Sequence, residues 1–211
     1  MLPRTTTRLL LSTAAIAAAG LATASTASAA TISGGHWDIG IEYDCATGQF
    51  SSEGLHAHNH DLDQEEELAT TTFAVSGTSN SSWEQAVFGT VPLKTIGDGG
   101  TYRVGFAVEA DGDCDPPSVT FRKTANVAIP SGKRVAGYSR VGALASPPTT
   151  YFDSTSGTGR NVGVTPLLAE DFHVDPRWGF SGTGTYKLQI QARRTSDNAL
   201  LDSETVTFSV S

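Results

Sequence analysis

A strict two-residue alternation near the C-terminus limits the fold more than any other feature. Tyr186, Leu188, Ile190 and Ala192 alternate with Lys187, Gln189, Gln191 and Arg193. After a polar turn at Ser196-Asp197-Asn198, Val206, Phe208 and Val210 alternate with Thr205, Thr207 and Ser209. Successive side chains of a strand point to opposite faces, so the segment reads as a β-hairpin with one dry and one wet face. The pattern recurs more weakly in Trp37 to Tyr43, Thr71 to Val75, Val119 to Phe121 and Arg134 to Val141. In Tyr102 to Val108 it places Tyr102, Val104, Phe106 and Val108 together. Gly, Pro, Ser and Asn turns separate these runs, and helical periodicity is nearly absent. The expectation is an all-β chain folded as an antiparallel, Ig-like or jelly-roll-like β-sandwich. One stretch, Leu62 to Leu68, is compatible with a helix that has Glu65 to Glu67 in its first turn. Gly54 to Glu67 and Ser146 to Val162 read as long polar loops, where functional groups often sit.

The N-terminus carries the three parts of a secretory signal peptide: basic Arg4 and Arg8, the apolar run Leu9 to Leu21, and the small-residue site Ala27-Ser28-Ala29. Residues 1–29 are therefore expected to be removed, leaving 30–211 as a single β-sandwich domain. The apolar run is too short for a membrane span, and nothing later approaches the length of one. With no sorting motif or hydrophobic tail before Val210-Ser211, the expected product is released, or held at the cell surface through partners.

The chain has a formal net charge of −8. The leader holds two basic and no acidic residues, so its loss makes the charge more negative still. Such a balance disfavours nucleic acid and anionic lipid as partners and suits cations. Cys45 and Cys114 are the only cysteines. In an oxidising compartment they are expected to pair, closing a loop of about 70 residues worth roughly 4 kcal/mol in the chain-entropy model. Free thiols acting as metal ligands are the alternative, but the two lack the close spacing of a thiolate site.

Three of the five histidines, His56, His58 and His60, alternate and run into Asp61, Asp63, Glu65, Glu66 and Glu67. On an extended chain the three imidazoles share an edge, with carboxylates just beyond. Imidazole suits zinc, copper or nickel, and carboxylates can complete the shell or orient the rings. The plain alternative is a solvated polar loop. The other two histidines each have an aspartate two residues on: His36 with Asp38, and His173 with Asp175. On a strand each pair shares a face; the plain reading makes each a hydrogen-bonded histidine beside a core tryptophan, Trp37 or Trp178.

Two of these segments also carry a family resemblance. Gly35-His36-Trp37-Asp38-Ile39-Gly40, and His173-x-Asp175-x-x-Trp178-x-Phe180 followed by Gly184-x-Tyr186-x-Leu188, resemble actinobacterial surface-anchored proteins of the choice-of-anchor M type. Tyr151-Phe152-Asp153-Ser154 looks like the short segment that precedes the C-terminal motif there. In that family a His-x-His pair usually stands ahead of Trp-x-Phe, with asparagine before the tryptophan; here Asp175 and Arg177 occupy those places. The aspartate changes the ligand set without removing a donor. The resemblance implies an extracytoplasmic β-rich protein, often encoded beside metal-type ABC transporters, so such a transporter system or an envelope component is the implied partner.

Asp111-Gly112-Asp113-Cys114-Asp115 begins like a calcium loop. It lacks glycine at the sixth position and has Arg122 at the twelfth, which excludes a helix-loop-helix calcium site and favours a disulfide-held turn. Pairing of Cys45 with Cys114 is expected to bring this acidic knot near the N-terminal motif. No serine-nucleophile elbow, phosphate-cradling glycine loop or His-Glu-x-x-His pattern is present. A copper site like that of superoxide dismutase is the best enzymatic alternative, though its histidine spacing is missing. The leading expectation is a secreted transition-metal binder, zinc first and copper next, serving metal capture or delivery. Its candidate ligands are His36, Asp38, His56, His58, His60, His173 and Asp175. A metal-free envelope module is the alternative.

Overall fold

The computed structural model describes residues 29–81, 84, 88–89, 92–97, 101–139, 149–155, 162–164 and 173–211. Residues 1–28, which contain most of the expected leader, and much of the expected loop at 146–162 lie outside the described residues. The C-terminal alternation forms the hairpin it predicts. Strands β16 (Gly184–Arg194) and β17 (Leu200–Val210) pair antiparallel, with Tyr186 opposite Phe208 and Leu188 opposite Val206. Asn198 takes the left-handed conformation in the turn, φ 60°, a conformation asparagine tolerates better than most residues.

The fold is all-β and sandwich-like, with strands arranged in three sheets. The first runs β1 (Thr31–Ile32), β6 (Thr72–Val75), β17, β16, β10 (Val119–Ala128), β13 (Val162–Val164). The second runs β12 (Thr149–Asp153), β11 (Val135–Ser139), β15 (Arg177–Phe180), β8 (Leu93–Ile96), β7 (Gly77–Ser79). The third runs β14 (His173–Val174), β9 (Arg103–Asp111), β2 (His36–Asp44), β4 (His56–Asn59), β5 (Gln64–Glu67), with β3 (Gln49–Phe50) attached to β2. Most pairings are antiparallel. The exceptions among the described residues are β1 with β6, β6 with β17, and the nine-residue pair β2 with β9.

Aromatic residues from all three sheets meet in one core. Phe106 of the third sheet lies 5.1 Å, ring to ring, from Phe121 of the first and 5.2 Å from Phe152 of the second. Trp178 stacks on Phe152 at 5.7 Å and meets Phe208 at 4.9 Å. Its indole N–H donates to the Val104 carbonyl at 2.8 Å. That bond lets the largest apolar side chain be fully buried without a stranded donor.

Three sequence expectations are corrected. Leu62 to Leu68 is not helical: Gln64 to Glu67 pairs with β4 as a strand at the sheet edge, because the preceding histidine segment supplies a partner. Gly54 to Glu67 is therefore a hairpin rather than a long loop, its turn closed by Asp63 in the left-handed region, φ 49°. Cys45 and Cys114 do form a disulfide, but the acidic knot is not near His36. It follows β9 at Asp111, level with Asp44 at the opposite end of β2, roughly 25 Å along the strand at its usual rise per residue.

The Tyr151 to Ser154 segment has a structural role. Arg134 grips Asp153 through Nε to Oδ1 at 3.0 Å and through a second contact from its terminal nitrogen to Oδ2, locking β12 beside β11. Burial works against the Asp153 charge, but the Arg134 bonds and those from Thr155 outweigh it and hold its pKa below the ordinary value. A depressed carboxylate contributes stability above its unfolded pKa, and that contribution is lost as pH falls through the folded value. Asp153→Asn is therefore expected to cost about 1–3 kcal/mol at neutral pH and to converge with wild type in acid, as read by urea denaturation across pH.

Candidate metal centre

All five histidines stand on one face of the third sheet, and the two-residue period of its strands puts them there. On β2, Trp37, Ile39 and Ile41 turn into the core, which sends His36, Asp38 and Gly40 to the other side. On β9, Val104, Phe106 and Val108 are core, leaving Arg103, Gly105, Ala107 and Glu109 on that same outer face. On β4, Ala57 and Asn59 are buried beneath the sheet, so His56 and His58 face outward. His60 continues the alternation one residue beyond the strand. Asn59 fixes that exit: its side-chain carbonyl accepts from the amides of Asp61 at 2.9 Å and Leu62 at 3.2 Å.

Register then sets the neighbours. Asp38 lies opposite Gly105 on one side and His58 on the other, and His58 lies opposite Glu65. His173 lies opposite Ala107, which pairs with Gly40, which pairs with His56. The middle of the face is therefore paved with Gly105, Ala107 and Gly40, and the long polar side chains lean inward over that floor. A Cβ on Gly105 would lie 2.0 Å from Asp38 Oδ1 and 2.6 Å from Asp175 Oδ1; one on Gly40 would lie 2.6 Å from Glu109 Oε1. Glycine here provides room for carboxylates rather than freedom of backbone.

At one end of the face, His36 Nε2 is 3.2 Å from Asp175 Oδ1 and 3.8 Å from Asp38 Oδ2. His60 Nε2 is 2.8 Å from Asp38 Oδ2, and His173 Nε2 is 3.5 Å from Asp175 Oδ2. Donor atoms of His36, His173 and Asp175 all fall within 4.8 Å of one another. The His36 ring is 5.0 Å from that of His173 and 5.6 Å from that of His60. The N-terminal and C-terminal motifs, 139 positions apart along the chain, thus meet directly. Arg103 supports the group by donating to Asp175 Oδ2 at 2.9 Å.

Asp38 is fully buried, and neither of its oxygens has an aligned hydrogen bond. Its contact with His60, although short, is an ion-pair approach without hydrogen-bond direction. A buried carboxylate left this way is costly unless a cation completes it. Other buried, unmatched atoms on this face are His56 Nε2, His58 Nδ1, Glu109 Oε1 and Arg103 Nε. The side chains pair with one another in places, as His36 does with Asp175, yet leave these buried atoms unmatched, and their donor atoms lie close enough together to share an ion.

All seven sequence-selected residues lie on this face, but in two groups. His36, Asp38, His60, His173 and Asp175 form the first; His56 and His58 lean away toward Glu109. The cluster His56 to His60 is therefore divided, neither a separate arm nor a single ligand set. Sequence reasoning missed Glu109 and Arg103, and named Glu65 only as one of several carboxylates that follow the histidines. A signal for Glu109 was present: the apolar alternation of Tyr102 to Val108 leaves Arg103, Gly105, Ala107 and Glu109 as the wet face, and two small residues in mid-strand mark a close approach.

No protein-family model, curated protein or solved structure matches the chain. Fold and site alone define its class, a disulfide-bonded, sandwich-like β protein with a histidine and carboxylate face on one sheet.

Proposed function

We propose that the protein binds a divalent transition metal, zinc first and copper(II) next, through His36, His60, His173 and Asp175, with Asp38 as a further ligand or as the group that orients the rings. The observation that carries this reading is the meeting of two distant His-x-Asp motifs above a fully buried Asp38 whose oxygens lack aligned hydrogen bonds. Imidazole nitrogen with carboxylate oxygen is the donor set of zinc and of copper(II). Copper(I) fits poorly, because the chain's single methionine is Met1 and its two cysteines are joined. The disulfide, the leader-like N-terminus and the surface-protein resemblance support a setting outside the cytoplasm. There the protein serves metal capture or delivery, with a metal-type transporter as the partner class that resemblance suggests.

The test is zinc titration by calorimetry on untagged protein, with elemental analysis of the dialysed sample. His173 is only part-buried at a sheet edge, so His173→Ala should fold. It is expected to weaken zinc binding at this site by at least about tenfold. At a free zinc concentration of 100 times Kd, wild type should gain about 2.7 kcal/mol of stability. Unchanged affinity in the variant would remove this site from consideration.

A further inference from the structure

We infer that the same face holds a second, separate metal ion, centred on Glu109 and bound by His56, His58 and Glu109 with Glu65 at the solvent side. This deepens the reading above and rests on it for the kind of ion. Glu109 Oε2 lies 2.9 Å from His58 Nδ1 and 3.5 Å from His56 Nε2. Donor atoms of His56, Glu65 and Glu109 fall within 4.8 Å of one another, and so do those of His58, His60 and Glu109.

The orientation of His56 is decisive. Its Nδ1 sits 3.2 Å from the Gly54 carbonyl, an acceptor only, so this nitrogen carries the proton and donates. In the neutral ring Nε2 then presents its lone pair to the Glu109 carboxylate. Two acceptors facing each other need a positive charge between them, which either a proton on His56 or a metal ion supplies. Metal-bound imidazoles commonly have this arrangement, with the far nitrogen donating to a backbone carbonyl and the near one facing the ion. His56 is 93% buried, being 7% exposed, and its Nε2 has no hydrogen-bond partner; nor do His58 Nδ1 or Glu109 Oε1. One proton can bridge one pair of these atoms, whereas an ion can serve all of them. Gly40 supplies the space, because a side chain there would displace both the Glu109 carboxylate and the His56 ring.

The two sites abut at His58 and His60, whose rings are 4.7 Å apart, and their remaining ligands do not overlap. Asp175 belongs to the first and Glu109 to the second, so zinc stoichiometry separates them. Wild type is expected to bind two zinc ions per chain, and Glu109→Gln and Asp175→Asn one each. Near-ultraviolet circular dichroism checks that each isosteric variant is folded, and the wild-type stoichiometry can be read without any variant. One zinc in wild type, held with unchanged affinity by Glu109→Gln and lost in Asp175→Asn, would overturn the second site and leave the first. One zinc lost in Glu109→Gln and kept in Asp175→Asn would overturn the first instead. Retention of all zinc by both variants would overturn both.

Discussion

Gly105→Ala is expected to weaken zinc binding at the His36 and His173 site by about 100-fold or more and to cost about 1–3 kcal/mol of stability. The new methyl carbon would fall 2.0 Å from Asp38 Oδ1, 2.6 Å from Asp175 Oδ1 and 3.1 Å from the Val174 carbonyl. Neither carboxylate has an easy retreat. Asp38 is fully buried, and Asp175 is held by Arg103 at 2.9 Å and faced by His36 at 3.2 Å. Overpacking of this kind drives side chains off their rotamers or moves a strand, and here either response separates the ligands. Urea denaturation gives the stability change and zinc calorimetry the affinity. Gly34→Ala is the control, since a Cβ there meets nothing within 4 Å, and it should leave both quantities near wild type. Wild-type zinc affinity in Gly105→Ala would show that Asp38 and Asp175 are not drawn together at an ion.

Removing the disulfide should have the largest effect on stability alone. Cys45 and Cys114 are 69 positions apart, and opening a loop of that length costs about 4 kcal/mol in the chain-entropy model. The bridge fastens the ends of β2 and β9, a parallel pair that no short turn can join. Comparison of Cys45→Ser/Cys114→Ser with wild type in guanidinium gives the loss directly. The bridge is roughly 25 Å along β2 from His36 by the usual strand rise, so the two perturbations should add. Zinc is then expected to stabilise the bridgeless variant by the same increment as wild type. A vanished increment would mean that the bridge positions the ligands and does not merely restrict the unfolded chain.

The class of fold was legible because burial on one face leaves a period-two trace. Tyr186 to Ala192 and Tyr102 to Val108 showed it plainly, and both are strands. Leu62 to Leu68 misled for the converse reason. An edge strand with solvent on its outer side has little apolar alternation to show, and three successive glutamates suit a first helical turn as readily as a strand. Pairing with β4 decided the matter, and that is a tertiary fact.

The candidate donor types were equally legible, since only certain side chains offer imidazole nitrogen or carboxylate oxygen. Their grouping was not. Sequence adjacency joined His56, His58 and His60, whereas strand register carries His60 toward Asp38 and His56 toward Glu109. By itself the sequence determined that this chain would be built of strands, that its two cysteines were available to each other, and that its histidines would sit beside carboxylates. Tertiary structure alone decided that all five histidines share one face, that Gly105, Ala107 and Gly40 make the hollow they lean over, and that Glu109 belongs among them. The physical reason is that alternation fixes which side of a strand a residue takes, while its neighbours depend on the register between strands far apart in the chain.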